Sequence, residues 1–376
     1  MRSLSYHILE VGKAFVMQDG LQPSQYFSMV HVGLMPATHG SLPLFLGFGN
    51  LYAFHHCLML SFWGLAARFL FLRMPRNMNV RVRIAVSALG VLFVCSLPPV
   101  QLITEVVLTN AYQMLFLSIL CWQLIDLSDA ERIGVGRCVF IIFLSVTYVL
   151  LRVDAPIYFA FMIFCLVVYG FRAWRIMILT QSCVIVCLLV YYAKLWSVIG
   201  LAKGTLLSPK TIGMMLLANV FVFAAIIARR YYAERIRTNL LIVSAYLVLL
   251  LSNLVMLCLF GDNYIQNMHI IWQNVTEIKY FWGMTFWMLI AAIIFMSVRG
   301  GYGRFIMVFV FCAVLACDLG VLRTINGTGV SIARLGWSDS QNRALCSLLP
   351  LLLIPAYFAV VEWWYSLWIR RYGQDA

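Results

Sequence analysis

Long apolar runs, separated by short loops that alternate in charge, constrain this chain more than any other feature. Every second loop is basic, and together these loops hold 17 of the 27 Lys and Arg. Their basic residues are Arg68, Arg73, Arg76, Arg81, Arg83, Arg132, Arg137, Arg172, Arg175, Arg229, Arg230, Arg235, Arg237, Arg299, Arg304, Arg370 and Arg371. Because basic loops stay on the cytoplasmic side of a membrane, the alternation predicts an all-α polytopic membrane protein together with its orientation.

The composition supports the same class. Hydrophobic residues make up 63% of the chain and charged residues 11%, whereas soluble domains average about 45–50% and 25%. The net charge of +13 follows from the basic loops, so we expect anionic membrane lipids and no nucleic acid as its partner. The eleven cysteines contain no CxxC pair, which favours buried packing over a metal or redox site.

Eleven runs approach the roughly 20 apolar residues that one membrane-spanning helix needs. They are Leu51–Leu72, Ile84–Ile103, Thr104–Ile125, Arg137–Leu151, Asp154–Phe171, Ile176–Ser197, Thr211–Ala228, Asn239–Phe260, Tyr280–Val298, Phe305–Val321 and Cys346–Trp368. Residues 43–376 are thus predicted to form a helical bundle of about eleven spans, with a cytoplasmic C-terminus. The tight turn at Pro98-Pro99 and the loop from Gly261 to Lys279 would then lie outside.

An odd number of spans places residues 1–42 outside the cytoplasm. A short amphipathic helix is predicted there, from Leu4 to Met17, and the segment has no sustained apolar core of the kind that a signal peptide requires. Either the following helix translocates this segment, or the chain lacks an upstream span; the sequence leaves both open.

The densest polar stretch runs from Asp318 to Arg343, on the external side of the predicted bundle. Arg323, Arg334 and Arg343 lie in it together with Asp339. Basic residues normally lie in cytoplasmic loops, so three arginines on the external side are unexpected. The planar guanidinium group can bind two phosphate oxygens at once. These side chains are therefore candidates for binding a lipid phosphate. The alternative is a solvated loop whose charges face water.

Three further external sites carry chemically useful side chains. Asp19 could act as a general base that deprotonates an acceptor hydroxyl, although Asp-Gly is also a common turn. His39 could donate to a phosphate or a sugar hydroxyl, or could simply be an interfacial histidine. Arg152 and Asp154 are expected to pair with each other between two spans. No dedicated metal-ligand cluster and no nucleotide-binding loop is present.

Three stretches of the chain, Ala37–Phe48, Leu151–Ala160 and Gly336–Arg343 with Pro350, share features of one membrane-protein family. Together they resemble the GT-C type integral-membrane glycosyltransferases. The resemblance implies transfer of a sugar from a polyprenyl-phosphate donor to a cell-envelope acceptor at the external membrane face, with Asp19 as base. His39, Arg323, Arg334, Asp339 and Arg343 would then bind the substrate. Members of the family begin with a transmembrane helix ahead of the acidic motif, and no such helix precedes Asp19 here.

Two other functions stay open at this level. One is a transporter or flippase of a lipid-linked or polar solute. Ion-coupled carriers place charged residues near the middle of the bilayer, whereas nearly every acidic residue of this chain lies near the end of a span, which argues against this function. The other is a surface-polysaccharide polymerase, for which a larger external loop is expected. A divalent metal is left open as a cofactor. The predicted location is a bacterial inner membrane.

Overall fold

The computed structural model describes residues 48–105, 109–128, 130, 133–152, 154–199, 209–232, 237–277, 282–325 and 340–372. These residues form twelve helices and contain no strand. The helices are α1 (Phe48–Arg73), α2 (Val80–Cys95), α3 (Pro98–Glu105), α4 (Thr109–Ser128), α5 (Val135–Leu151), α6 (Ala155–Tyr169), α7 (Trp174–Ile199), α8 (Pro209–Tyr232), α9 (Thr238–Thr276), α10 (Thr285–Arg299), α11 (Gly303–Ile325) and α12 (Ser340–Tyr372).

Six of these helices, α1, α4, α7, α8, α9 and α12, contain stretches long and apolar enough to cross a membrane. The pair α2 and α3, bent by 85°, makes a seventh candidate if it is counted as one span, and α5, α6 and α10 are shorter apolar helices. The all-α class is confirmed for the described residues, and the six helices fit a polytopic membrane protein. The number of eleven spans and the orientation stay predictions. The N-terminal segment 1–42 lies outside the described residues.

Local sequence chemistry sets several helix ends. The Asn79 side chain accepts a hydrogen bond of 2.9 Å from the Arg81 backbone N–H and caps α2, which satisfies one of the four orphan donors of a helix start. Gly170 follows the end of α6 and Gly300 follows the end of α10, with φ of 84° and 74°. Only glycine adopts these angles without steric cost, so the chain can leave each helix sharply.

The structure differs from the predicted spans at two places. The run Ile84–Ile103 bends after Cys95, and Pro98 begins α3 instead of forming a tight turn. The predicted loop after Gly261 is a continuation of α9 to Thr276, broken only at Gly261, where φ is 39° and ψ is −113°. Asn267, Ile271 and Asn274 are buried at a helical spacing, which indicates that tertiary packing stabilises this less apolar segment.

The chain divides into two compact units. Unit 1 comprises residues 1–57 and 123–251, and unit 2 comprises residues 58–122 and 252–376. In unit 1, α5 packs against α6 and α7, and α8 packs against the same two helices. In unit 2, α12 is central and packs against α2, α3, α10 and α11. The centre of unit 2 includes Trp122, which stacks on Phe62 and Phe69.

Within each unit the basic loops gather at one end. In unit 1, the Arg172 backbone N–H donates to the Ser128 carbonyl at 2.7 Å, and the Arg230 guanidinium lies 5.0 Å from the Trp174 ring centroid. In unit 2, the Arg73 guanidinium lies 5.5 Å from the Phe305 ring centroid. These contacts join loops that are far apart in sequence. Within each unit, described basic loops that are separate in sequence therefore lie at one end.

Candidate functional site

The predicted site residues fall mostly outside the described part of the chain. Asp19, His39, Arg334 and Asp339 lie outside it, and Arg323 lies in α11 with an undescribed side chain. Arg343 is described, in the first turn of α12, and is partly buried. The grouping of the predicted residues therefore stays a prediction. Arg343 and its neighbours are the part of the candidate site that the structure describes.

Asn342 anchors the start of α12. Its side chain is 1% exposed, and its Oδ1 accepts a hydrogen bond of 2.6 Å from the indole Nε1 of Trp282. The Cys346 thiol, one turn later, lies 3.8 Å from the same oxygen. A buried amide must find partners or lose free energy. These contacts therefore hold the start of α12 against the segment that precedes α10.

Gln341 joins the start of α12 to α11. Its Nε2 donates to the carbonyl of Cys317 at 3.2 Å. Gln341 therefore contacts the residue that immediately precedes Asp318. Helices α11 and α12 thus bring polar side chains together within unit 2.

Two oxygen atoms in this cluster are buried acceptors without a donor among the described residues. They are Oδ1 of Asp318 and Oε1 of Gln341. An acceptor that is buried without a donor costs about 1–3 kcal/mol, so a structure normally supplies a partner. A ligand with several hydroxyl groups would satisfy both atoms. We call Trp282, Asp318, Gln341, Asn342 and Arg343 the polar end of unit 2.

The chemistry of the polar end combines acceptors with a cation. The acceptors suit hydroxyl groups, and the guanidinium of Arg343 suits an anion such as phosphate. Among the described residues, no group of three or more His, Cys, Asp or Glu is placed to hold a metal ion. The polar end therefore presents hydrogen-bond acceptors together with a cation.

The predicted ion pair between Arg152 and Asp154 is confirmed. Arg152 donates from Nε and from a terminal nitrogen to the two carboxylate oxygens, both at 2.8 Å. The side chains are 12% and 9% exposed. Burial, the largest single effect, lowers the pKa of Arg152, but the charge and hydrogen bonds of Asp154 together with Tyr158 and Tyr148 outweigh it, so the pKa is raised. The bidentate geometry keeps both groups charged inside unit 1.

A second buried polar group in unit 1 was not among the predicted sites. Gln181 of α7 donates from Nε2 to the Asn219 side chain at 2.9 Å, and Asn219 of α8 donates to the Pro156 and Met215 carbonyls at 3.2 and 2.9 Å. The signal for it was present, because each amide interrupts a long apolar run, where polar side chains usually face the bundle interior. The network links α6, α7 and α8.

Comparison of the chain with protein-family models, with curated proteins and with solved structures finds no match.

Proposed function

We propose that this protein transfers a sugar from a polyprenyl-phosphate donor to a cell-envelope acceptor, and that the polar end of unit 2 binds the donor. The observation that carries the proposal is the combination, at one end of unit 2, of the Arg343 guanidinium with the buried acceptors of Asp318 and Gln341. The guanidinium would bind the phosphate, and the acceptors would take hydrogen bonds from sugar hydroxyls.

The position of the polar end supports a reaction at the external face. Along α11, Asp318 lies about 20 Å from Arg304 at the 1.5 Å rise of a helix, so the polar end lies away from the basic residues of unit 2. We propose the basic ends as cytoplasmic, with about eleven spans, the C-terminus inside and the N-terminus outside. The corresponding location is a bacterial inner membrane.

In this mechanism the acceptor oxygen attacks the anomeric carbon of the sugar, and the bond from that carbon to the phosphate oxygen breaks. Asp19 is proposed to take the proton of the acceptor hydroxyl. Arg323, Arg334 and Arg343 would stabilise the negative charge that develops on the departing polyprenyl phosphate, the step in which preorganised cations contribute most. His39 and Asp339 are proposed to contact the sugar.

The test uses the purified full chain in nanodiscs. Lipids that copurify with it are identified by mass spectrometry, and binding of undecaprenyl phosphate is measured by native mass spectrometry. We expect Arg343→Ala to weaken this binding by about tenfold or more, since a charged hydrogen bond contributes about 1.5–3 kcal/mol. Arg175→Ala removes the same charge from an exposed residue of unit 1 and is the matched control. Affinities within twofold of each other for the two variants would contradict the proposal.

A second candidate is a transporter or flippase of a lipid-linked solute. It is favoured by the break of α9 at Gly261 and by the 85° bend between α2 and α3, because transporters often place their binding sites at broken helices. Transbilayer movement of a fluorescent polyprenyl phosphate in proteoliposomes, without any glycosylated product, would favour this candidate over transfer.

A further inference from the structure

The basic end of unit 2 is formed by three segments of the chain. Its residues are Arg73, Arg76, Arg81, Arg83, Arg299, Arg304, Arg370 and Arg371. The α1–α2 turn and α11 meet where the Arg73 guanidinium lies 5.5 Å from the Phe305 ring centroid. Helix α12 joins them where the Tyr302 hydroxyl donates to Glu362 at 2.7 Å. Because Tyr302 and Phe305 belong to the same segment, these two contacts bring the three segments together in one patch.

Four arginines of this patch carry positive charge that no ion pair within the described part of the chain neutralises. Arg76, Arg81, Arg299 and Arg370 are exposed, and none of them forms an ion pair with a described residue. Glu362 is the acidic residue that the structure places at this end, and it accepts a hydrogen bond from Tyr302. The patch therefore keeps a large positive potential available to a ligand outside the protein.

Aromatic residues set the depth of the patch in a membrane. Trp364 is 66% exposed and Trp368 is 50% exposed on the last turns of α12. Arg370 follows Trp364 by six residues, which is about 9 Å along a helix. Indole rings prefer the interface between the acyl chains and the headgroups. With the indoles at that level, Arg370 and Arg371 reach the level of the lipid phosphates.

Two arginines at the turn between α1 and α2 are held by their neighbours. The Arg83 guanidinium lies 4.2 Å from the Phe71 ring centroid and donates to the Phe71 carbonyl. The Arg73 guanidinium lies 4.7 Å from the Phe69 ring centroid. Stacking restricts the rotamers of these long side chains, so less conformational entropy is lost when an anion binds beside them.

We propose that the basic end of unit 2 is a binding site for the headgroup of an anionic phospholipid of the adjoining leaflet. The phosphate is bound by arginines of the α1–α2 turn and of the end of α12, while the acyl chains lie along the exposed Trp364 and Trp368. The site differs in place and ligand from the polar end of unit 2, and it does not rest on the function proposed for that end.

The experiment measures lipid binding to the delipidated full-length protein by native mass spectrometry. The probes are short-chain phosphatidylglycerol and phosphatidylcholine of equal chain length. We expect phosphatidylglycerol to bind more tightly, and the double variant R76Q/R81Q to weaken it about tenfold or more, since each basic residue at a membrane surface contributes about 1 kcal/mol. The variant R76K/R81K keeps the charge and should retain affinity within about threefold.

The matched control is R175Q/R230Q, which removes two exposed arginines from the basic end of unit 1. Phosphatidylglycerol affinity within twofold of the unmodified protein in this control supports a site specific to unit 2. An equal loss in both double variants, or no preference for phosphatidylglycerol over phosphatidylcholine, overturns the proposal. Full competition by millimolar inorganic phosphate overturns it as well, because the ligand would then be the free anion.

Discussion

The two units bury polar groups in different ways. In unit 1 the charged pair Arg152–Asp154 and the amides Gln181 and Asn219 lie in the interior and bond to other groups of the same unit. In unit 2 the centre is packed by aromatic rings around Trp122, and the polar end holds two buried acceptors, of Asp318 and Gln341, that have no donor among the described residues. Satisfied polar groups stabilise a fold, whereas unsatisfied ones cost free energy unless a ligand completes them. The paired groups of unit 1 are therefore structural, although Oε1 of Gln181 also has no donor among the described residues. The two acceptors at the polar end of unit 2 are where we propose that a ligand binds.

The largest effect is expected for the buried pair of unit 1. Asp154→Ala leaves the Arg152 guanidinium buried without its carboxylate, which typically costs about 3–5 kcal/mol. The free energy of unfolding in detergent micelles, measured by titration with sodium dodecyl sulfate, checks this.

Asp126→Ala is the control for that prediction. Asp126 lies 3.8 Å from Arg137, and the two side chains are 30% and 39% exposed, so the loss should stay below about 1 kcal/mol. The double variant R152M/D154L should recover much of the stability that Asp154→Ala loses, because no unpaired charge is left. Equal losses for Asp154→Ala and Asp126→Ala would remove the structural role assigned to the buried pair.

An intermediate effect is expected for the packing of unit 2. A methyl group added at Gly90 would collide with the Tyr357 ring and meet Leu70 at 3.0 Å. Tyr357 cannot move freely, because its hydroxyl donates to the Val86 carbonyl at 3.0 Å. Gly90→Ala should therefore lower the free energy of unfolding by about 1–3 kcal/mol, the usual cost of overpacking.

Gly64 provides the matched control, because it is also a helical glycine of unit 2 and nothing lies within 4 Å of its added methyl group. Gly64→Ala should raise the free energy of unfolding by up to about 1 kcal/mol through helix propensity alone. If both substitutions change stability in the same direction, close packing at Gly90 does not hold α2 against α12.

The smallest effect on stability is expected at the polar end of unit 2. Comparison with the amide network of unit 1 distinguishes buried acceptors that lack a donor from buried groups that are hydrogen-bonded. Asp318→Leu removes an acceptor that has no donor among the described residues, so stability should stay within about 1 kcal/mol of the unmodified protein or rise. Asn219→Leu replaces an amide with an apolar side chain of similar shape. It breaks the amide network of unit 1 and should lower the free energy of unfolding by about 1–2 kcal/mol. Detergent unfolding of both variants, with undecaprenyl phosphate binding of Asp318→Leu, measures the difference. A loss at Asp318 as large as that at Asn219 would make the polar end structural.

Much of the helical framework was predictable from hydropathy. The predicted run Arg137–Leu151 corresponds to α5 at Val135–Leu151, and Asp154–Phe171 corresponds to α6 at Ala155–Tyr169. The helix after Gly261 was not predicted, because Asp262, Asn263 and other polar residues lower its hydropathy. Its burial at every third or fourth residue arises from packing, which hydropathy does not encode.

The candidate site was less predictable than the fold. Arg343 was identified from its charge on the predicted external side, but the amide bonds of Gln341 and Asn342 to α11 and Trp282 connect residues 24 and 60 positions apart. No local pattern of residue types indicates such pairs. Gln181 and Asn219 could have been singled out as amides within apolar runs, although their partnership across 38 positions could not.

The sequence by itself determined the helical class and which loops share a basic end, because the cost of burying backbone groups and charges in lipid acts on each segment separately. The tertiary structure alone decided which buried polar groups bond to one another and which are left as acceptors. That outcome depends on distances between side chains of different helices, such as the 2.6 Å from Trp282 to Asn342. Those distances are set by the packing of a whole unit.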